Sequence, residues 1–233
     1  MKALVIDSAS PVLSVAAKND DVSAEITVNL ARDQSAALLP AIDFVFNRCN
    51  LIPARLDYTA LCKGPGAFTG LRLAYSALKA IELSCAVPVY AVPTLKAYAW
   101  QFKDFEGALV PVIKAKRNQF FAAIYKNQSE LLSPQDTAPQ NILSSLTGEN
   151  QALIVGTEAH ALEFSQELES CLQKSQDPSK PKILHSPIKQ PATVALFALA
   201  EQMILRGECP VSEYEGPDYL RKSEAELSLT HEN

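Results

Sequence analysis

An α/β protein built from two strand-and-helix units is what this sequence predicts, on three observations. The first half sets short apolar runs against stretches of helical periodicity in the order βββαβαβα. A second half opens near Gly107 and repeats the strand-then-helix plan in reduced form. Within the first half, "KGPGAFTGLR" (Lys63 to Arg72) gathers three of the chain's eight glycines into one strand-to-helix joint. At 233 residues the chain holds one large domain or two small ones. The expected division is 1–106 and 107–233, with the helix at 193–207 packing back on the first subdomain.

The elements follow in order. "ALVID" (Ala3 to Asp7) reads as a buried first strand. "VLSVAAK" and "VSAEITV" follow it across the turn "NDD". A helix is expected over Asp33 to Cys49, since Leu38, Leu39, Ile42, Val45, Phe46 and Cys49 recur at helical spacing. Pro40 sits inside it, so the helix starts near there or kinks there. "YTALC" (Tyr58 to Cys62) is a buried strand and Leu71 to Cys85 a helix, with Thr69 its expected N-cap. "PVYAV" and "TLKAYAWQF" supply a further strand and helix. In the second half "ALVPVIKA" and "QFFAAIY" are strands around "KRN". "SPQDTAPQN" is a polar loop, "ALIV" a strand, Glu158 to Leu172 a helix, and Lys174 to Lys182 a loop. "KILH" is a short strand. The apolar helix from Thr193 ends at Gly207.

Composition narrows the function. Hydrophobic residues make up 48%, enough for a sizeable core. The net charge of −5, from 21 basic and 26 acidic side chains, makes the chain a poor solo binder of nucleic acid. Five scattered cysteines with no CxxC pair read as buried free thiols in a reducing compartment. "MKALVIDSAS" is no signal peptide and no run of ~18 apolar residues exists, so a cytoplasmic protein with no membrane span is expected.

The chemistry-bearing residues are few. His160, His185 and His231 are far apart, so no metal site and no cofactor are expected. GxSxG is absent, and Leu71 follows Gly70 where a Walker loop needs Lys and Ser/Thr. Asp7 ends the first strand, where α/β proteins bind ligands. It either orients a magnesium-bound water or caps the Ser8–Ser10 turn, and the second is favoured because no glycine follows it. Lys114, Lys116 and Arg117 could meet RNA phosphate, but a solvated strand end is the better reading. The glycine joint, Gly64, Gly66 and Gly70 with Thr69, is either an anion site or a packing joint. Helices 33–49 and 71–85 are too apolar around their circumference for one buried face, so a partner interface is expected on them. It is placed on Leu38, Ile42, Ala74, Tyr75 and Leu78, with small residues allowing close approach.

"LVIDSAS", "SAALLPAI", "GPGAFTGLRLA", "VPTL" and "DYLRKSEAE" occur in this order. Together they resemble the TsaB (YeaZ) family of bacterial tRNA threonylcarbamoyladenosine biosynthesis. The clear matches cover Met1 to about Glu106 and the C-terminal tail. The resemblance implies an actin/sugar-kinase-like fold of two related subdomains. It implies a non-catalytic assembly subunit that pairs with a TsaD-like catalytic subunit and, with a TsaE-like ATPase, supports threonylcarbamoyl transfer to the adenosine beside the anticodon. The tRNA would be met only through that complex. In the family the two helices bundle with the partner's equivalents, and a homodimer would use the same face. Gln34 stands where family members often carry His, and Lys114 where they carry Asp, which speaks against magnesium-dependent nucleotide hydrolysis here. The alternative is an ATP-handling or peptidase enzyme of the glycoprotease-like family.

Overall fold

The computed structural model describes residues 1–30, 33–115, 118–174, 181–188, 191–212 and 214–220. The chain forms two compact units. Unit 1 comprises Met1–Gln101 and Lys189–Pro217, and unit 2 comprises Phe102–Ile188 with Asp218–Asn233.

Unit 1 contains β1 (Lys2–Asp7), β2 (Val12–Asn19), β3 (Val22–Asn29), α1 (Gln34–Cys49), β4 (Tyr58–Gly64), α2 (Phe68–Cys85), β5 (Val89–Pro93) and α3 (Thr94–Trp100). Its sheet runs β3-β2-β1-β4-β5. The β1–β2 and β2–β3 pairs are antiparallel, whereas β1–β4 and β4–β5 are parallel. Unit 2 contains β6 (Ala108–Lys114), β7 (Phe120–Lys126), β8 (Ser129–Thr137), a 3-10 helix over Pro139–Leu146, β9 (Gln151–Gly156), α4 (Glu158–Lys174) and β10 (Lys182–Pro187). Its sheet runs β8-β7-β6-β9-β10, with the same alternation of antiparallel and parallel pairs. This repeated plan is that of the two-subdomain actin/sugar-kinase-like fold. The last helix, α5 (Thr193–Leu205), belongs to unit 1, where it packs on β1, β4, β5 and α3.

In unit 1, α1 lies against β2 and β3, and α2 against β4 and β5. Their inner faces share one core with Leu4, Ile6, Leu13, Val15, Leu61 and Val89. The alternate side chains of the sheet face α3 and α5. Coverage on both faces explains why β1 and β4 read as unbroken apolar runs. α1 continues through Pro40, which lies on its exposed side where the carbonyl left without a donor can be hydrated. α5 closes at Gly207, whose φ of 69° lets Gly207 and Glu208 donate back to Ile204 and Met203.

The core of unit 2 joins Phe120, Ile124, Ile154, Phe164 and Leu168, with Phe120 and Phe164 edge to face at 5.0 Å. Part of the expected polar loop at 133–141 is strand. β8 pairs with β7 as far as Thr137, and an edge position tolerates Pro134 because no ladder bond is needed on its outer side. Of the expected loop at 174–182, residues 175–180 lie outside the described residues, while Lys174 ends α4 and Lys182 opens β10.

Candidate functional site

The glycine joint is a place where backbone meets backbone. Ser8–Ser10, the turn between β1 and β2, lies directly on the turn between β4 and α2. The Ala67 N–H donates to the Ala9 carbonyl at 2.8 Å, and the buried Ser8 hydroxyl donates to the Gly70 carbonyl at 2.7 Å. A Cβ on Gly70 would stand 2.0 Å from the Ser8 oxygen, and one on Gly66 2.7 Å from the Ala9 oxygen. Neither approach is open to any residue with a side chain. Gly64 is left-handed at φ 127°, and its N–H donates to Thr94 Oγ1 at 3.1 Å. Thr69 does not cap α2. The helix starts at Phe68, three residues before the expected Leu71, with Ala67 as N-cap and no side-chain cap, and Thr69 is exposed in its first turn. The Gln34 amide ties α1 to the same turn by donating to the Ser10 carbonyl at 2.7 Å. Ser10, Asp33, Gln34, Ser35, Thr69 and Leu73 line part of a cavity of about 400 Å³ beside this joint.

Below the turn lies a buried polar cluster. The Asp7 carboxylate accepts the Ala9 N–H at 3.1 Å, as a turn cap does. Cys62 and Ala192 lie close to the same carboxyl; of the five thiols expected to be buried, Cys49 and Cys62 are, whereas Cys85 and Cys171 are half-buried and Cys209 is exposed on the surface. Burial pushes the Asp7 carboxyl above the ordinary carboxylate range, and hydrogen bonding, first from the Ala9 N–H, pulls it partly back. Burial and the neighbouring Asp7 hold the Cys62 thiol and the Tyr98 phenol well above their usual values, so both stay protonated. No cation among the described residues pairs with this carboxyl, and the Ala9 N–H is its donor. Among the described residues no group of three or more His, Cys, Asp or Glu is placed to hold a metal ion.

The helix faces need a correction. Leu38, Ile42, Ala74, Tyr75 and Leu78 are all buried in the core of unit 1 and form no exposed patch. The reason is helical phase: the sheet takes the stripe 38, 41, 42, 45, 46, 49 on α1 and 71, 74, 75, 78 on α2. The apolar excess noted in the sequence nevertheless exists on the outer side. Leu39 is 69% exposed and Leu83 80%, with Phe44 and Phe68 also exposed. Arg48 stacks on Phe44 at 5.3 Å and Arg72 on Phe68 at 4.1 Å, each pair one helical turn apart. Ser76, Ala80 and Ser84 are exposed along α2. Sequence reasoning missed Phe44, Phe68 and Leu83. The signal was available in the burial stripe that β2 and β4 impose, which a period count without a phase cannot supply.

In unit 2, Lys114 ends β6. Its ammonium pairs with Glu163 and lies 4.3 Å from the Phe120 ring centroid, while its N–H donates to His160 Nδ1 at 3.4 Å. It is an internally engaged strand end. Lys116 and Arg117 lie outside the described residues. His160 is held below its ordinary value, chiefly by burial.

Comparison with known proteins places the chain. The family model "TsaD: tRNA N6-adenosine threonylcarbamoyltransferase" matches residues 25–228. The tRNA threonylcarbamoyladenosine biosynthesis protein TsaB of Bacillus subtilis is 31% identical over 144 residues, 61% of this chain and 62% of that protein. This chain thus spans under two thirds of that relative's length. TsaB of Escherichia coli is 24% identical over 97% of this chain and 96% of its own. Among solved structures, a Pseudomonas aeruginosa protein described as similar to peptidase YeaZ superposes with TM-score 0.76 at 22% identity, covering 94% of this chain and 99% of that one. The similarity therefore runs through unit 2 as well, beyond the first half and tail where sequence motifs were clear. The chain belongs to the TsaB/YeaZ family.

Proposed function

We propose that this protein is a non-catalytic assembly subunit of tRNA threonylcarbamoyladenosine synthesis in the cytoplasm. It pairs with a TsaD-like catalytic subunit and works with a TsaE-like ATPase. It meets tRNA only through that complex. The observation that carries the reading is the outer face of α1 and α2, where Leu39, Phe44, Phe68 and Leu83 stay exposed although both helices already fill a core. Exposed apolar groups gathered on adjoining helices usually mark a partner site. In the absence of TsaD a second copy covers the same face. The joint beside it supports a subunit without nucleotide chemistry, since Ser8 and Ala9 occupy the space against Gly66 and Gly70 where a phosphate would approach.

Reconstitution tests this. Purified chain alone should turn over no ATP, and omitting it from a mixture of TsaD-like subunit, TsaE-like ATPase, threonylcarbamoyl donor and tRNA should abolish modification. ATP hydrolysis by the chain alone at a rate matching the complete mixture would favour the enzyme reading instead.

A further inference from the structure

Close backbone contact at the joint accounts for Gly66 and Gly70 of "GPGAFTGLR", but it leaves Phe68 and Arg72 of the same stretch exposed on α2. There the Arg72 guanidinium lies 4.1 Å from the Phe68 ring centroid, and on α1 the Arg48 guanidinium lies 5.3 Å from that of Phe44. Both arginines are exposed, and Phe44 and Phe68 are the exposed aromatic residues of these two helices. Each exposed ring of the docking face therefore has a guanidinium against it. A stacked guanidinium is weakly hydrated and presents a rigid fork of donors, which suits it to an interface ion pair with a carboxylate.

A partner that covers Phe44 and Phe68 must take Arg48 and Arg72 out of water with them. A charge removed from water without an acceptor opposes the contact strongly, so the occupant has to bring carboxylates. A second copy brings few. The carboxylates of α1, α2 and their N-caps are Asp33, Asp43 and Glu82. Asp43 accepts the Asn47 amide at 3.1 Å, and Glu82 accepts the Lys79 ammonium at 2.6 Å. That leaves Asp33 to answer two guanidiniums in each copy. We infer that Arg48 and Arg72 are specificity-determining residues of the docking face: they select a TsaD-like surface that sets carboxylates opposite the two Arg–Phe stacks, and they oppose pairing of the chain with itself. The inference rests on the docking face proposed above and adds the chemistry of what covers it. Self-pairing is then the weaker of the two associations.

Two double variants of the full chain test it, Arg48→Gln with Arg72→Gln and Arg48→Glu with Arg72→Glu. Titration calorimetry reads binding to the TsaD-like subunit, and sedimentation equilibrium reads self-association. Both sites are exposed, so both variants should melt within a degree or two of the wild type. The Gln pair should bind the TsaD-like subunit about tenfold more weakly and the Glu pair about a hundredfold more weakly. Self-association of the Gln pair should be as tight as that of the wild type or tighter. A Gln pair that binds the TsaD-like subunit as tightly as the wild type, or more tightly, overturns the inference, because that is the result of removing a charge from an apolar contact. Equal losses in the Gln and Glu pairs overturn it too, as does a loss of self-association equal to the loss of partner binding. If the Glu pair does not fold, the sign of the change in the Gln pair decides. A wild-type chain that binds no TsaD-like subunit removes the docking face and this inference with it; a wild type that binds, with the Gln pair unchanged, removes this inference alone.

Discussion

Units 1 and 2 share a strand order and differ in what stands at the C-terminal ends of their central strands. β1 ends in Asp7, buried, bonded to the Ala9 N–H and, among the described residues, paired with no cation. β6 ends in Lys114, half-buried, paired with Glu163 and stacked on Phe120. Unit 1 meets its neighbouring turn through bare backbone at Gly66 and Gly70. In unit 2 Gly156 plays a similar part, with β6 itself as the neighbour: a Cβ there would stand 2.7 Å from the Val112 oxygen. The difference teaches where each unit tolerates change. Both units have close backbone contact at this end; unit 1 adds one buried carboxyl, and unit 2 a charged pair that water partly screens.

The largest expected effect breaks the joint of unit 1. Gly70→Val places side-chain atoms on the Ser8 carbonyl and should cost on the order of 4 kcal/mol. Gly156→Ala should cost on the order of 2 kcal/mol, since its contact is less severe. Chemical denaturation with a probe in each unit, such as exchange at Ala60 and at Ile154, would show the loss confined to the unit that carries the change. Equal losses in both units would deny that each has its own joint.

The two strand ends should also answer pH in opposite senses. Asp7 is raised above 3.8 in the fold. Its contribution to stability is complete below that value and lost as pH rises through the folded value. Relative to Asp7→Asn, the wild type should therefore weaken as pH rises above about 4. His160 is lowered from 6.5. Its contribution is present above 6.5 and lost as pH falls, so the wild type should weaken relative to His160→Gln on acidification. Thermal melts of the three proteins across pH 3–8, a span of ordinary buffers, check both slopes; parallel curves would remove the contrast. The smallest effect belongs to Lys114→Met, which gives up a partly exposed ion pair and should change stability by less than about 1 kcal/mol.

Much of this was legible in the residues. The order of the first eight elements, the glycine joint, the Asp7 turn cap and the stop at Gly207 all rest on local chemistry: apolar periodicity, special φ values and short-range hydrogen bonds. Other features depend on partners distant in sequence. Leu78 and Leu83 are equally apolar, and only the position of β4 and β5 decides that one is core and the other surface. β8 carries a proline and polar residues, and it is a strand because β7 lies beside it. Cys62 and Ala192 meet Asp7 from far along the chain, so nothing near Asp7 announces them. The start of α2 at Phe68 in place of a Thr69 cap follows from Ala67 being claimed by Ala9.

The docking face is the central claim, and Leu83 tests it most directly, with Leu78 as its internal contrast. Both become Asp, five residues apart on one helix. Leu83→Asp, on a side chain 80% exposed, should leave the melting temperature within a degree or two and abolish binding to the TsaD-like subunit in titration calorimetry. Leu78→Asp, fully buried, should unfold unit 1, because an unpaired buried charge costs several kcal/mol. A Leu83→Asp protein that melts like the wild type and binds the TsaD-like subunit with unchanged affinity would contradict the account and move the interface away from α2.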